Sequence, residues 1–229
     1  MNGEKWKGKG KEYDKYRNLI FEGEYLHGVK WDGKIKSNIK DENSDDLSKG
    51  IGTNNFDDRK EFEGLYISGK KYGKEKCYFS NGKLKYDYDY LKGVKHGLSK
   101  DYYYNGQLCL ECEYLNGKKN GLEFKYFSNG KLSFKGNYLD GNLNGKVKEY
   151  YAHGKLKFTG EYIKGYLNGP TKKYSDESNL IFFGNYVNGL GIGYEYDNAT
   201  GSLLFEGEYL NDLKNGKGKE FDLKGNLKF

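Results

Sequence analysis

The stretch Leu156-Lys157-Phe158-Thr159-Gly160-Glu161-Tyr162 decides the fold. Leu156, Phe158, Gly160 and Tyr162 alternate with Lys157, Thr159 and Glu161, which is the period of a strand with one face buried and one wet. The same Leu-x-aromatic-x-Gly-x-Tyr phrase returns at Leu132 to Tyr138 and at Leu203 to Tyr209. Helix is excluded, because a two-residue period and a glycine every few positions both oppose it.

Working outward, the aromatic position of this phrase recurs at Phe62, Tyr86, Leu110, Phe134, Phe158 and Phe182, 24 residues apart at every step, then at Phe205 after 23 and Phe229 after 24. Four residues on stands a tyrosine in register: Tyr66, Tyr90, Tyr114, Tyr138, Tyr162, Tyr186 and Tyr209. An earlier copy starts at Phe21 with Tyr25. A fixed period of this length means an array of units, each burying its apolar face only against its neighbours. Function then belongs on an extended surface.

Between the strands lie turn signals. Asn116-Gly117 and Asp140-Gly141 supply the positive φ of tight turns, and Leu115 to Gly121 reads as one turn region. Ser80-Asn81-Gly82 and Ser128-Asn129-Gly130 supply a second turn. Each repeat is therefore one hairpin. The inward glycines Gly23, Gly64, Gly136, Gly160, Gly184 and Gly207 leave space for a ring from the next strand. Tyr88 and Cys112 replace that glycine, so their units are expected to pack differently and to bulge. The tyrosine and glycine rows are the expected structural core.

The predicted fold is all-β, an elongated single-layer antiparallel sheet of stacked hairpins, about eight to nine units of ~24 residues. Residues 1–36 hold the first repeats, one of them partial, and 61–229 the regular array. From Phe21 to Phe62 is 41 residues, 17 beyond one period, and the polar, acidic stretch 37–60 reads as an inserted loop.

Composition narrows the function classes. Mean hydropathy is -0.98, yet 17% of residues are aromatic, with 24 Tyr and 13 Phe, so rings carry the burial. The net charge of +6 rests on lysine; Arg17 and Arg59 are the two arginines. Lysine is a hydrated point charge that attracts anions diffusely. Three cysteines, an odd number, and a lysine-rich opening predict a reducing, cytoplasmic setting, and without an apolar run of about 18 residues any membrane contact would be peripheral.

Cys109-Leu110-Glu111-Cys112 has C-x-x-C spacing, but on a strand residues three apart face opposite sides, so it holds no metal and no redox pair. His27, His96 and His153 fall at different places in their units and form no repeated site. Gly8-Lys9-Gly10 and Gly216-Lys217-Gly218 lack the strand-loop-helix context of a phosphate loop. Asp41 to Asp46 lacks calcium-loop spacing. No cofactor is expected, and no enzyme activity.

Phe205-Glu206-Gly207-Glu208-Tyr209-Leu210 and Asn215-Gly216-Lys217-Gly218-Lys219-Glu220-Phe221 resemble MORN repeats, the membrane occupation and recognition nexus motif. Tyr126-Phe127-Ser128-Asn129-Gly130-Lys131-Leu132 resembles the variant of bacterial antitoxin-like repeat proteins. The resemblance implies a hairpin ribbon without chemistry of its own, used for scaffolding, self-association or contact with acidic phospholipid.

Paired aromatics close the second strand of many units: Tyr78-Phe79, Tyr102-Tyr103-Tyr104, Tyr126-Phe127 and Tyr150-Tyr151. Neighbours on a strand face opposite sides, so one ring of each pair leaves the packing face. Phe79, Tyr103, Phe127 and Tyr151 are the candidate partner-binding residues, for a protein partner. The other partner expectations are end-to-end copies of the chain and an anionic membrane surface; nucleic acid is disfavoured by the near absence of arginine.

Overall fold

A computed structural model describes residues 7–13, 16, 17, 19–26, 29–40 and 59–228. These form twenty strands, every pairing is antiparallel, and the described residues contain no helix. Contacts divide the chain into units 1–118 and 119–229.

The first unit runs β1 (Lys7–Tyr13), β2 (Leu19–Leu26), β3 (Val29–Lys40), β4 (Arg59–Ile67), β5 (Lys70–Tyr78), β6 (Leu84–Leu91), β7 (Val94–Lys95), β8 (Gly97–Tyr102) and β9 (Leu108–Leu115). The second holds β10 (Lys118–Tyr126), β11 (Leu132–Leu139), β12 (Asn142–Leu143), β13 (Gly145–Tyr150), β14 (Leu156–Ile163), β15 (Tyr166–Leu167), β16 (Gly169–Tyr174), β17 (Leu180–Val187), β18 (Leu190–Tyr196), β19 (Leu203–Leu210) and β20 (Leu213–Glu220). Within each unit a strand pairs with the next in the chain. The short β7, β12 and β15 are first segments of strands that β8, β13 and β16 continue.

Two boundaries differ from the sequence reading. The region Leu115 to Gly121 reverses direction only at Asn116-Gly117, whose φ values of 51° and 82° make a two-residue turn sufficient. Asn120 and Gly121 already lie within β10. The inserted segment also begins later and ends sooner than 37–60, since β3 and β4 stay paired out to Lys40 and Arg59. A polar segment can extend a strand wherever a partner strand satisfies its backbone hydrogen bonds. Residues 41–58, the rest of that expected loop, lie outside the described residues, as do His27 and Phe229.

The glycine row is built as expected but for a different reason. A Cβ on Gly136 would come within 2.7 Å of the Phe134 ring, and on Gly207 within 2.6 Å of Phe205. A Cβ on Gly160 would come within 2.9 Å of Phe158; on Gly184 it would meet Tyr186 at 2.7 Å and Phe182 at 2.9 Å; and on Gly23 it would meet Phe21 at 2.9 Å, with the partner-strand backbone closer still. The rings over these five glycines therefore belong to the glycine's own strand and not to the next strand. Across from Gly64 the constraint falls on Gly73, where a Cβ would meet the Glu63 carbonyl and come within 2.6 Å of the Gly64 Cα.

Tyr88 and Cys112 do not bulge their units. β5–β6 and β8–β9 each show one register shift, before the final residue of the second strand, and so do β10–β11 and β13–β14. Side chains absorb the difference: Tyr88 stacks on Tyr86 at 4.2 Å, and Cys112 faces the small Ser99.

Candidate interaction surface

The inward tyrosines hold the array together. Tyr186 and Tyr209 are buried, while Tyr66, Tyr90, Tyr114, Tyr138 and Tyr162 are half-buried. With Val147, Phe158, Leu167, Phe182 and Phe205, the buried tyrosines form one apolar cluster in the second unit. Burial pushes the hydroxyls of Tyr90 and Tyr162 up to about 12 and raises those of Tyr66, Tyr186 and Tyr209. The Tyr209 hydroxyl donates to Glu195 Oε1 at 2.7 Å. Asp212 stands where other tight turns have glycine; its carboxylate, 2.6 Å from Lys173 Nζ, adds its charge to burial in raising Tyr186.

The four candidate rings lie just after their strands, as the first residues of the loops. Phe79, Tyr103, Phe127 and Tyr151 each donate an amide to the far end of the loop and accept a glycine amide within it. All four are half-buried. Phe79 meets Tyr104 edge-on at 5.3 Å, with Lys85 Nζ 5.7 Å from its ring. Burial and a hydrogen bond with the Cys109 thiol raise the Tyr103 hydroxyl. Tyr151 stacks on His153, carries Lys157 Nζ 5.9 Å from its ring, and donates its hydroxyl to the Tyr174 carbonyl at 2.8 Å. They occupy equivalent places on successive loops, Phe79 and Tyr103 in the first unit and Phe127 and Tyr151 in the second, each fixed by its own loop.

What holds those loops in line is the Asn-Gly-Lys of 81–83 and 129–131, with Lys155 at the equivalent lysine position, and here sequence reasoning missed a role. Asn81 and Lys83 donate to the Tyr104 and Asn105 carbonyls one repeat later, at 3.0 and 2.7 Å. Asn129 and Lys131 do the same to Ala152 and His153 at 2.9 and 2.7 Å. Lys155 reaches the Asp176 carbonyl. On the opposite edge, Asn144 and Asn168 accept the amides of Lys164 and Asn188 in the following tight turn, at 3.2 and 3.3 Å. The signal was present as an asparagine and a lysine at fixed loop positions, beyond what the turn geometry demands.

A second surface feature was also missed. An aliphatic residue stands exposed before most tight turns: Ile67 and Leu115 in the first unit, where Leu91 is half-buried, then Leu139, Ile163, Val187 and Leu210 in the second. Each exposed one faces water beside a polar or charged turn residue.

Cys109 and Cys112 lie on β9, Cys112 buried and Cys109 half-buried. Among the described residues no group of His, Cys, Asp or Glu is placed to hold a metal ion. No helix among them is long and apolar enough to cross a membrane.

The family model of the MORN repeat variant matches residues 71–92, 95–116, 119–140 and 143–164. Residues 71–164 are four consecutive MORN repeats. Each match begins in the second strand of one hairpin and ends in the tight turn of the next, so the MORN unit is a strand, a loop and a strand. MORN repeats belong to a family of repeat scaffolds that is in general non-enzymatic. No curated protein matches the chain.

Proposed function

We propose that this chain is a non-enzymatic scaffold that captures a protein partner through the rings of its loops, Phe79 and Tyr103 in the first unit and Phe127 and Tyr151 in the second. The observation that carries this reading is that four half-buried rings are held on loops with closed backbones, those of Phe79, Phe127 and Tyr151 also laced to the following loop. A ring pre-positioned in this way loses little entropy on binding, and aromatics are the residues that dominate interface energy. Masking a partner, as an antitoxin-like protein does, is one form of such capture.

The test is the quadruple variant Phe79→Ser, Tyr103→Ser, Phe127→Ser and Tyr151→Ser in a pull-down from native lysate. Partner capture should disappear while the far-ultraviolet circular dichroism stays unchanged; undiminished capture rules out the loop rings. A second reading, association between copies, is supported by β20, all eight residues of which are exposed. Sedimentation of a strict monomer at high concentration excludes it. Attachment to anionic membrane through lysines is a third reading, and vesicle binding indifferent to salt excludes that one.

A further inference from the structure

The outer face of the second unit carries a line of charge that the rest of the array avoids. Reading straight across its strands, Phe124 on β10 faces Lys135 on β11, Lys135 faces Lys148 on β13, Lys148 faces Thr159 on β14, Thr159 faces Lys172 on β16, and Lys172 faces Phe183 on β17. Lys135, Lys148 and Lys172 are exposed. Among the described residues none of the three has an ion-pair partner, and the carboxylates of this unit's ion pairs, Glu123, Glu195 and Asp212, are engaged by other lysines.

Lys135 directly opposite Lys148 is a like-charge cross-strand pair, an arrangement that destabilises a sheet. The same row in the first unit is neutralised. There Lys76 faces Asp87, Asp87 faces Lys100, and Lys100 faces Glu111, with a Lys100–Glu111 ion pair at 3.0 Å. One structural row, with the same backbone pairing, thus alternates in sign in one unit, whereas in the other the stretch from Phe124 to Phe183 carries lysines as its only charges and a carboxylate, Glu206, enters only beyond Tyr194.

We infer that the line Lys135, Lys148 and Lys172 is a docking track for an acidic segment of a partner protein, laid across the strands. Strand spacing of about 4.8 Å makes the line from Phe124 to Phe183 about 24 Å long, the reach of about seven extended residues. Rings close it at both ends, Phe124 with the Lys135 ammonium 5.4 Å away and Phe183 stacked on Tyr194. These rings suit apolar residues flanking the acidic ones. A narrow line of point charges bounded by rings matches a polypeptide better than a broad lipid surface. Lysine without arginine matches single carboxylates better than phosphates, which favour a bidentate fork. The nearest carboxylate on this face, Glu161, stands opposite Lys146 beside the track and limits the acidic segment to the line itself.

The inference shares with the scaffold reading only the premise of a protein partner, and the two fail separately. The probe is a fluorescein-labelled peptide of about nine residues, with four glutamates between terminal leucines, measured by anisotropy against the full chain. Binding should weaken as salt rises. It should weaken at least about tenfold in the Lys135→Gln, Lys148→Gln, Lys172→Gln variant. The control triple Lys217→Gln, Lys219→Gln, Lys224→Gln, with the same loss of charge, should bind within about twofold of the parent. The loop variant Phe127→Ser, Tyr151→Ser should also bind normally. Absence of peptide binding by the parent chain, or equal losses in the two lysine triples, overturns the inference. So does tighter binding of phosphatidylserine vesicles or single-stranded DNA through these same lysines.

Discussion

Compare the hairpins that carry Lys71, Lys95 and Lys119 as the second residue of their second strand with those that carry Leu143 and Leu167 there. The positions are equivalent, 24 residues apart, and the backbone pairing is the same. Four residues further on, the inward position is Glu75, Ser99 and Glu123 in the first set and Val147 and Thr171 in the second, all five buried. The early hairpins therefore hold their inner face with ion pairs, Lys71 to Glu75 and Lys119 to Glu123. Lys119 also lies 5.0 Å from the Tyr138 ring. The later hairpins use an apolar cluster instead. Hairpin geometry is thus fixed by turns and glycines, and the inner row can be filled in two physically different ways.

The strongest way to break the comparison is to strand the buried carboxylate. Glu123 is 0% exposed, and Lys119→Leu leaves it only the longer contact with Lys125 Nζ at 3.8 Å, so the variant should cost about 3 kcal/mol in urea unfolding, the penalty of a poorly compensated buried charge. Adding Glu123→Val rewrites that hairpin in the pattern of Leu143 and Val147. The double variant should recover the parent stability or exceed it, because well-packed apolar residues commonly match a buried ion pair. A double variant as unstable as the single one would mean the two inner rows are not interchangeable.

Next in size is a cavity in the other set. Leu167 is buried in the cluster, and Leu167→Ala should cost about 2–4 kcal/mol by the same measurement. A loss below about 0.5 kcal/mol, the size expected of a surface change, would place the cluster outside the stabilising core.

The smallest effect sharpens the comparison from the side the two sets share. Tyr90 and Tyr162 are raised from 10.0 to about 12 by burial, so folding favours the protonated hydroxyl. Their contribution is fully present below pH 10.0, the ordinary tyrosine value, and is lost as pH rises toward about 12. Tyrosinate absorbance should therefore appear together with loss of the β circular dichroism signal in that window. Ionisation of all tyrosines near pH 10.0 with the β signal intact would show these rings to be solvated.

Much of this was legible from residue order. The Leu-x-aromatic-x-Gly-x-Tyr phrase locates the first strand of each hairpin because its period is local. Asn116-Gly117 locates the tight turn because positive φ is a property of those residues. The second Asn-Gly, as at Asn120-Gly121, misled for the same reason: the identical dipeptide here kinks a strand instead of reversing it, and only its partner strand distinguishes the two. The candidate rings were found by pattern, but their placement on loops and their contacts with Cys109, Lys157 and Tyr174 depend on neighbouring repeats. The basic line escaped notice because Lys135, Lys148 and Lys172 come together only once strands β11, β13 and β16 are set side by side.

The sequence by itself determined the hairpin, its period and its turns, since these follow from alternation and from backbone conformations that particular residues prefer within a few positions. Tertiary structure alone decided which lysines are paired and which stand free, and that the rings over five inward glycines come from the glycine's own strand. It also decided that a carboxylate such as Glu123 is buried. Charge pairing and burial are set by what lies across the strand, and residues 11 to 14 apart in the chain become neighbours only when the register is fixed.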